Sequence, residues 1–375
     1  MRRSVLPLIA LYALLSSPAT AADGWSHYGG DAGGSRHSSA AQITPANVGG
    51  LKETWRFAFG DISAKAAVFK RGSFENTPIL ADGRLYTCSP FNEVAALDPG
   101  NGRLLWRFDP KLDTTIRYPN DYICRGVAFT RMAANGSCSA RIYLNTADRR
   151  LIALDAATGR LCAGFGAGGA VALKTEGTPR RKGNIHTTSA PLVAQGLVIV
   201  GSSIDDNQRM EELRGTVQAF DAVTGALRWR FDPLEGITGR GAANVWAPMS
   251  VDEARGLLFL PVSSASTDFF GGQRPGNGGN ANSVVALKIA SGEVAWSFQV
   301  THHDVWDYDL AAQPTLATVT YKGRKVDAVL QATKQGLLFT LDRDTGKPII
   351  PVQERKVPQG GAPGEKLSPT QPFPI

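Results

Sequence analysis

Five copies of one short turn pattern divide this chain and restrict its fold more than any other feature does. Ala96-Leu-Asp-Pro-Gly-Asn-Gly-Arg-Leu-Leu-Trp106 recurs as Ala153-Leu-Asp-Ala-Ala-Thr-Gly-Arg-Leu-Cys-Ala163, as Ala219-Phe-Asp-Ala-Val-Thr-Gly-Ala-Leu-Arg-Trp229 and as Ala286-Leu-Lys-Ile-Ala-Ser-Gly-Glu-Val-Ala-Trp296. A shortened copy follows at Thr340-Leu-Asp-Arg-Asp-Thr-Gly346. Each copy reads as an apolar strand, an Asp and Thr/Ser-Gly turn, and a second strand that ends in Trp in three of the four longer copies. Glycine supplies the positive φ of a hairpin turn, and the Asp side chain can bond nearby turn backbone. Counted from Asp98, Asp155, Asp221, Lys288 and Asp342, the copies lie 54 to 67 residues apart, room for one four-stranded sheet each.

A period that carries several strands per copy signifies a β-propeller, because no single blade can bury both its faces and stacked blades share their cores. The expected fold is therefore all-β, built of four-stranded antiparallel sheets. The 41 Gly and 22 Pro agree with many turns, and long amphipathic helical patterns are scarce. The repeat tryptophans are expected to pack between blades. Pro351 to Ile375 is proline-rich and poor in strand patterns, so the propeller is expected to be partial, with only about the first five to six blades present. Open sheet edges would then favour association with a complementary C-terminal piece.

Residues 1–22 read as a secretory signal: Arg2 and Arg3, an apolar run from Val5 to Leu15, then small residues at Ala19 and Ala21. That run is too short for a membrane span of ~20 residues. The expectation is an exported, periplasmic protein whose residues 23–375 form the propeller domain. Cys88, Cys124, Cys138 and Cys162 would sit in an oxidising space, and four cysteines allow three pairings. The net charge of +7 is scattered, with no basic segment interleaved with aromatics, which argues against a nucleic-acid partner.

Chemistry concentrates in Thr301-His-His-Asp-Val-Trp-Asp-Tyr-Asp-Leu310, which follows the strand-like run Val294 to Val300. Strand exits are where sites are usually built. This stretch resembles the quinoprotein dehydrogenases that use pyrroloquinoline quinone. Likeness extends over the chain from Trp25-Ser-His-Tyr-Gly-Gly-Asp and Gln42-Ile-Thr-Pro-Ala-Asn-Val onward. Cys124-Arg-Gly126, Asn244-Val-Trp-Ala-Pro248, His302-His-Asp-Val-Trp-Asp307, Thr333-Lys334 and Ser368-Pro-Thr-Gln-Pro372 are most similar to the glucose dehydrogenase branch. That family folds as an eight-bladed propeller, so the resemblance implies that the last blades are absent here.

The resemblance implies Asp307 as catalytic base and Lys334 as the cation at the reactive carbonyl. It implies Trp246 against the face of the cofactor and Glu75, Arg125, Thr188 and Ser203 around its rim. A divalent cation, calcium first and magnesium second, would be held by Asp206, Asn207, Ser264 and Asp307. Serine at 264 replaces an Asn of many relatives and is a poorer ligand. Adjacent cysteines, a mark of the alcohol-oxidising branch, are absent, since Ile123 precedes Cys124. His186, His302 and His303 read as structural. The expected activity is oxidation of an aldose, glucose to gluconolactone, with ubiquinone or cytochrome c as electron acceptor. Polyol, alcohol or quinate oxidation is the alternative, and a non-catalytic scaffold or inactive fragment is a third reading.

Overall fold

The structure, a computed structural model, describes residues 24–133 and 136–375. The signal expected over 1–22 lies outside the described residues. Four antiparallel four-stranded sheets follow one another. The first comprises Ile79–Ala81, Arg84–Cys88, Val94–Leu97 and Leu104–Phe108, and the second Ala128–Arg131, Ala140–Asn145, Arg150–Asp155 and Ala170–Ala172. Leu192–Ala194, Leu197–Val200, Val217–Asp221 and Leu227–Phe231 form the third; Ser250–Asp252, Leu257–Pro261, Ser283–Lys288 and Val294–Gln299 form the fourth. A fifth sheet has three strands, Thr315–Tyr321, Arg324–Ala332 and Leu338–Asp342, and Val352–Lys356 pairs with Thr370–Pro374 in a hairpin. Among the described residues no helix is long and apolar enough to cross a membrane.

The repeat joins the third strand of each sheet to its fourth position. In the third sheet Asp221 Oδ1 accepts the Thr224 amide at 2.8 Å and its hydroxyl at 2.9 Å, and Gly225 takes φ +74°. A side-chain acceptor and a left-handed glycine close the turn. Buried apolar residues then form cores between successive sheets rather than one central core: Ile79, Tyr86, Ile142 and Leu154 join the first sheet to the second, and Leu258, Val285, Ala219 and Ile199 join the third to the fourth.

Tryptophans stitch these interfaces. Trp106, Trp229 and Trp296 donate their indole N–H to the carbonyls of Ala156 (3.0 Å), Ile289 (2.7 Å) and Arg343 (3.1 Å) in the next repeat turn. The ring lies so close over the turn glycine that a Cβ on Gly159 or Gly292 would stand 2.5 or 2.6 Å from it. Glycine is required there twice, for its φ and for its missing side chain. Trp55 meets Gly102 and the Pro99 carbonyl (3.1 Å) in the same way.

The second copy departs from expectation. Its fourth strand is not the run after Arg160 but Ala170–Ala172, which pairs with Leu151 and its neighbours. The copy has no Trp at 163, and Cys162 is tied back to Cys138 instead, while Cys88 bonds Cys124. Of three pairings, the structure takes this one.

In such sheets the third-to-fourth turns lie at one end. The second-to-third connections and the passages from sheet to sheet lie at the other. Every candidate site residue is on that second end.

Candidate active site

Short strand pairs hold the sheet-to-sheet passages in place. Tyr122–Ile123 runs parallel to Gly72–Ser73, which brings Arg125 next to Glu75. Ile185–His186 pairs with Ser203–Ile204, which brings Thr188 and Ser203 to one cavity and leads into Asp206 and Asn207. Trp246 comes from the passage between third and fourth sheets, Asp307 from the next passage, and Lys334 from the end of Arg324–Ala332. Together with Asn120, Asn244, Asp268, Phe269 and Asp309 they line a cavity of about 500 Å³.

One end of this cavity is cationic and hydroxylic. The Arg125 guanidinium lies 5.3 Å over the Trp246 ring and pairs with Glu75 at 2.8 Å, while its buried Nη1 has no partner. Thr188 Oγ1 donates to the Trp246 carbonyl at 3.1 Å, and Ser203 Oγ to Asn120 Oδ1 at 3.0 Å. The Thr188 bond and the Arg125 guanidinium hold the indole as a flat wall. Its far edge reaches the other end, where Trp246 Nε1 donates to Asp309 Oδ2 at 3.0 Å.

That other end is acidic, with one cation. Lys334 Nζ donates to the Asp307 carbonyl at 2.7 Å and stands 3.2 Å from Asp307 Oδ1 and 3.6 Å from Asp309 Oδ2. Burial alone would lower its pKa, yet Asp309 and Asp307 outweigh burial and hold it above its usual value. Asp206 is pushed up to about 7 by burial and by the charges of Asp309 and Asp307. Asp268 is pushed up to about 9 by burial and then by Asp206, Asp309 and Asp307. Like charges withdrawn from water cannot all ionise, so this end favours a bound cation or shared protons.

The Asp307 turn is held from behind. Asp304, buried, accepts the amides of Trp306 (2.9 Å) and Tyr308 (2.7 Å), the Asn282 amide group (2.9 Å) and the Ser264 hydroxyl. These bonds force Asp307 into φ +57°, a conformation rare outside Gly, Asn and Asp. His303 Nε2 meets Glu365 Oε1 at 3.0 Å and His302 Nε2 meets Glu354 Oε1 at 3.1 Å, so both histidines anchor the loop, as read from the sequence.

Asp307, Lys334, Trp246, Arg125, Glu75, Thr188, Ser203, Asp206 and Asn207 all reach the one cavity. Ser264 does not, a correction to its expected place among metal ligands. Fully buried, it spends its hydroxyl on Asp304 and its amide on Asp309 Oδ1 at 2.7 Å. Asp268 and Asn120 were missed. Asp268 follows a strand exit, as Asp307 does, and that position was its available signal. Its Oδ1 is buried without a partner, and its amide donates to Asn207 Oδ1 at 2.8 Å. Among the described residues no three His, Cys, Asp or Glu side chains converge to hold a metal ion by themselves.

Comparison with known proteins agrees with the resemblance. Residues 25–375 match the family described as PQQ: glucose/ethanol/alcohol dehydrogenase, beta-propeller domain. The quinoprotein glucose dehydrogenase of Escherichia coli strain K12 is 36% identical over 369 residues, 93% of this chain and 46% of that protein. The quinate/shikimate dehydrogenase (quinone) of Acinetobacter baylyi is also 36% identical, over 98% of this chain and 48% of its own length. The chain thus spans about half the length of the curated relatives it matches. Quinohemoprotein alcohol dehydrogenase from Comamonas testosteroni superposes with a TM-score of 0.71 at 26% identity, over 94% of this chain and 52% of that one. On its sequence, its stacked four-stranded sheets and its cavity, this chain belongs to the family of PQQ-dependent glucose, ethanol and alcohol dehydrogenase β-propellers.

Proposed function

We propose that this chain carries the cofactor and substrate site of a periplasmic dehydrogenase that oxidises an aldose, glucose to gluconolactone, and passes electrons to ubiquinone or a cytochrome c. The observation that supports it most is the polarity of one cavity: an indole wall with Arg125, Thr188 and Ser203 at one end, and Asp307 with Lys334 at the other. Pyrroloquinoline quinone, when bound, would supply the carbonyl carbon that accepts hydride. The residues fit such a group. Trp246 offers a face for a flat tricycle, and the unpartnered Nη1 of Arg125 is a donor for a carboxylate.

Asp307 would take the proton of the substrate hydroxyl at Oδ2, the oxygen not facing Lys334. Lys334, tied to the Asp307 carbonyl, would hold that carboxylate in register, and its charge would stabilise oxygen that becomes negative. Asp206, Asn207 and Asp307 would hold a hard divalent cation, calcium or magnesium, completed by oxygens from outside the protein. Ser264, spent on Asp304, takes no part. The sugar reading leans on the glucose dehydrogenase relatives; quinate and glycerol are the competing substrates, because relatives bear those names at the same identity.

The test is titration of the exported chain with pyrroloquinoline quinone and calcium, followed by tryptophan fluorescence, and then dye reduction with glucose, glycerol or quinate. Binding that is lost in Trp246→Ala and turnover that is lost in Asp307→Asn support the reading. Absence of cofactor binding to the folded wild-type chain sinks it, and preference for quinate or glycerol moves the substrate.

A further inference from the structure

A second cavity, of about 460 Å³, is built from the same kinds of connections as the first: the passages at 116–118 and at 179–185, and the turn 147–149 of the second sheet. Tyr118 lines it, and the next residues, Pro119 and Asn120, line the candidate active site. The two cavities are neighbours across the Tyr118 and His186 rings, whose centroids are 5.4 Å apart.

Arg149 sits in the wall of this second cavity on a turn position with φ +68°, an arginine in left-handed backbone. Its side chain is more than nine-tenths buried. Of five N–H donors it uses one, from Nη2 to the Lys174 carbonyl at 2.5 Å, and Nε and Nη1 are buried without partners. Burial pushes its pKa down to about 10, and no carboxylate offsets the burial. Each acidic group near it is already engaged. Asp148 is held by Arg150 at 2.7 Å and by the Thr146 hydroxyl, and Asp205 by Arg181 at 2.8 Å and Arg180 at 3.4 Å.

Asp148, the acidic side chain of the lining, is spent on those bonds, and the other polar side chains there can donate. Asn184 Nδ2 and the Tyr118 hydroxyl have no partner, and Lys182 lines the opening. His186 adds no positive charge, since burial and then Arg149, Arg125 and Arg181 hold it neutral with a pKa of about 3. A buried guanidinium flanked by donors, with the one carboxylate of the lining already paired to Arg150, is complementary to an anion.

We propose that this cavity is a binding site for a small oxyanion, a carboxylate or a phosphate, held by Arg149 with Lys182 at the mouth and Asn184 and Tyr118 as neutral donors. The site stands apart from the quinone cavity and does not depend on the function proposed for it. Its place beside that cavity, across Tyr118, would let an anion act on the first site.

The test is calorimetric titration of the purified chain with inorganic phosphate and, separately, with acetate, at ionic strength held constant with sodium chloride. Saturable binding of either supports the site, and the preferred probe tells whether a tetrahedral or a planar oxyanion is the ligand. Arg149→Gln should weaken binding by roughly tenfold or more. Lys182→Ala, at the opening, should weaken it by a few-fold and leave the melting temperature in the absence of phosphate and acetate unchanged. Arg149→Met should melt higher than the wild-type chain without the probe, and that gain should shrink when phosphate or acetate is added. No saturable response to either probe, or the same affinity in the wild-type chain, Arg149→Gln and Lys182→Ala, overturns the proposal.

Discussion

The same strands present two very different ends. At one end lie the repeat turns, where Asp155, Asp221 and Asp342 each accept a threonine amide and hydroxyl and a tryptophan of the preceding sheet packs on the turn glycine in three of the five cases. Polar side chains there are mostly paired, within the turn or with the neighbouring sheet. At the other end the passages are irregular, non-glycine residues such as Asp121, Arg149, Asn207, His303 and Asp307 take positive φ, and Arg125 Nη1 and Asp268 Oδ1 are buried without partners. Positive φ also occurs at the repeat end, at Asp82, Gln195 and Lys322, so the ends differ chiefly in unmet hydrogen bonds, which are retained where ligands can satisfy them. One end holds the sheets together, and the other is left incomplete for chemistry.

Changes at the two ends should therefore separate activity from stability. The largest effect is expected at Asp307. Asp307→Asn removes the base while keeping its shape, so dye reduction in the cofactor-loaded protein should fall by about 10²–10⁴-fold. Its unfolding midpoint in urea should stay close to wild type, since Asp307 is part-exposed and its backbone bonds remain. A large drop in midpoint would show that the acidic end also carries the fold. Trp229→Ala is the converse. It empties a buried indole site and strands the Ile289 carbonyl, which should cost roughly 3–5 kcal/mol in urea unfolding. Pyrroloquinoline quinone affinity of the fraction that stays folded should change by less than about twofold, because distant sites act additively.

The two ends were not equally legible in the sequence. The repeat end was readable from residues alone, because its Asp, Thr, Gly and Trp act within a few positions of each other or on an identical neighbouring turn. Where the pattern lost its Trp, at Ala163, local reading misplaced the strand, since Cys162 answers to Cys138 across the sheet and not to its neighbours. The site end depends on residues more than a hundred positions apart meeting through five sheets. No periodicity links Arg125 to Lys334. Resemblance supplied those residues, and it failed for Ser264, because a role carried over by position cannot foresee a hydroxyl taken up by Asp304. Asp268 and Arg149 had no local signature beyond lying at the exit of a strand.

Proton linkage gives a third contrast of intermediate size, with opposite signs at the two ends. Asp206 and Asp268 have folded pKa values raised above 3.8, to about 7 and about 9. The folded chain therefore binds more protons than the unfolded one between those limits, and the stability these groups contribute, full below pH ~4, is lost as pH rises through ~7 and then ~9. Asp155 and Asp221 are lowered despite burial, by turn hydrogen bonds, so their contribution is present above 3.8 and lost as pH falls. Without cofactor or cation, the melting temperature should decline from pH 5 to pH 9. Asp268→Asn should flatten the alkaline part of that decline and calcium should oppose it. A flat profile in the wild-type chain would mean that the acidic end is already neutralised by its own structure.

The smallest effect makes the sharpest use of the repeat. Thr158, Thr224 and Thr345 occupy the same turn position in three sheets, and each hydroxyl donates to its own Asp at 2.8, 2.9 and 2.7 Å. These turns are exposed, and the lost bond is replaced by water, so each Thr→Ala should cost only about 0.5–1.5 kcal/mol. The turns share no partners. The triple variant should therefore show the sum of the three single costs to within a few tenths of a kcal/mol, measured as urea midpoints at constant m-value. Cofactor affinity should not move with it. A triple cost well above the sum would mean that the stitched turns communicate through the intervening sheets, and a coupled loss of affinity would mean that the two ends form one cooperative unit. Additivity with unchanged affinity would place the stabilising contribution of each repeat in its own turn, as expected for sheets that touch only their neighbours.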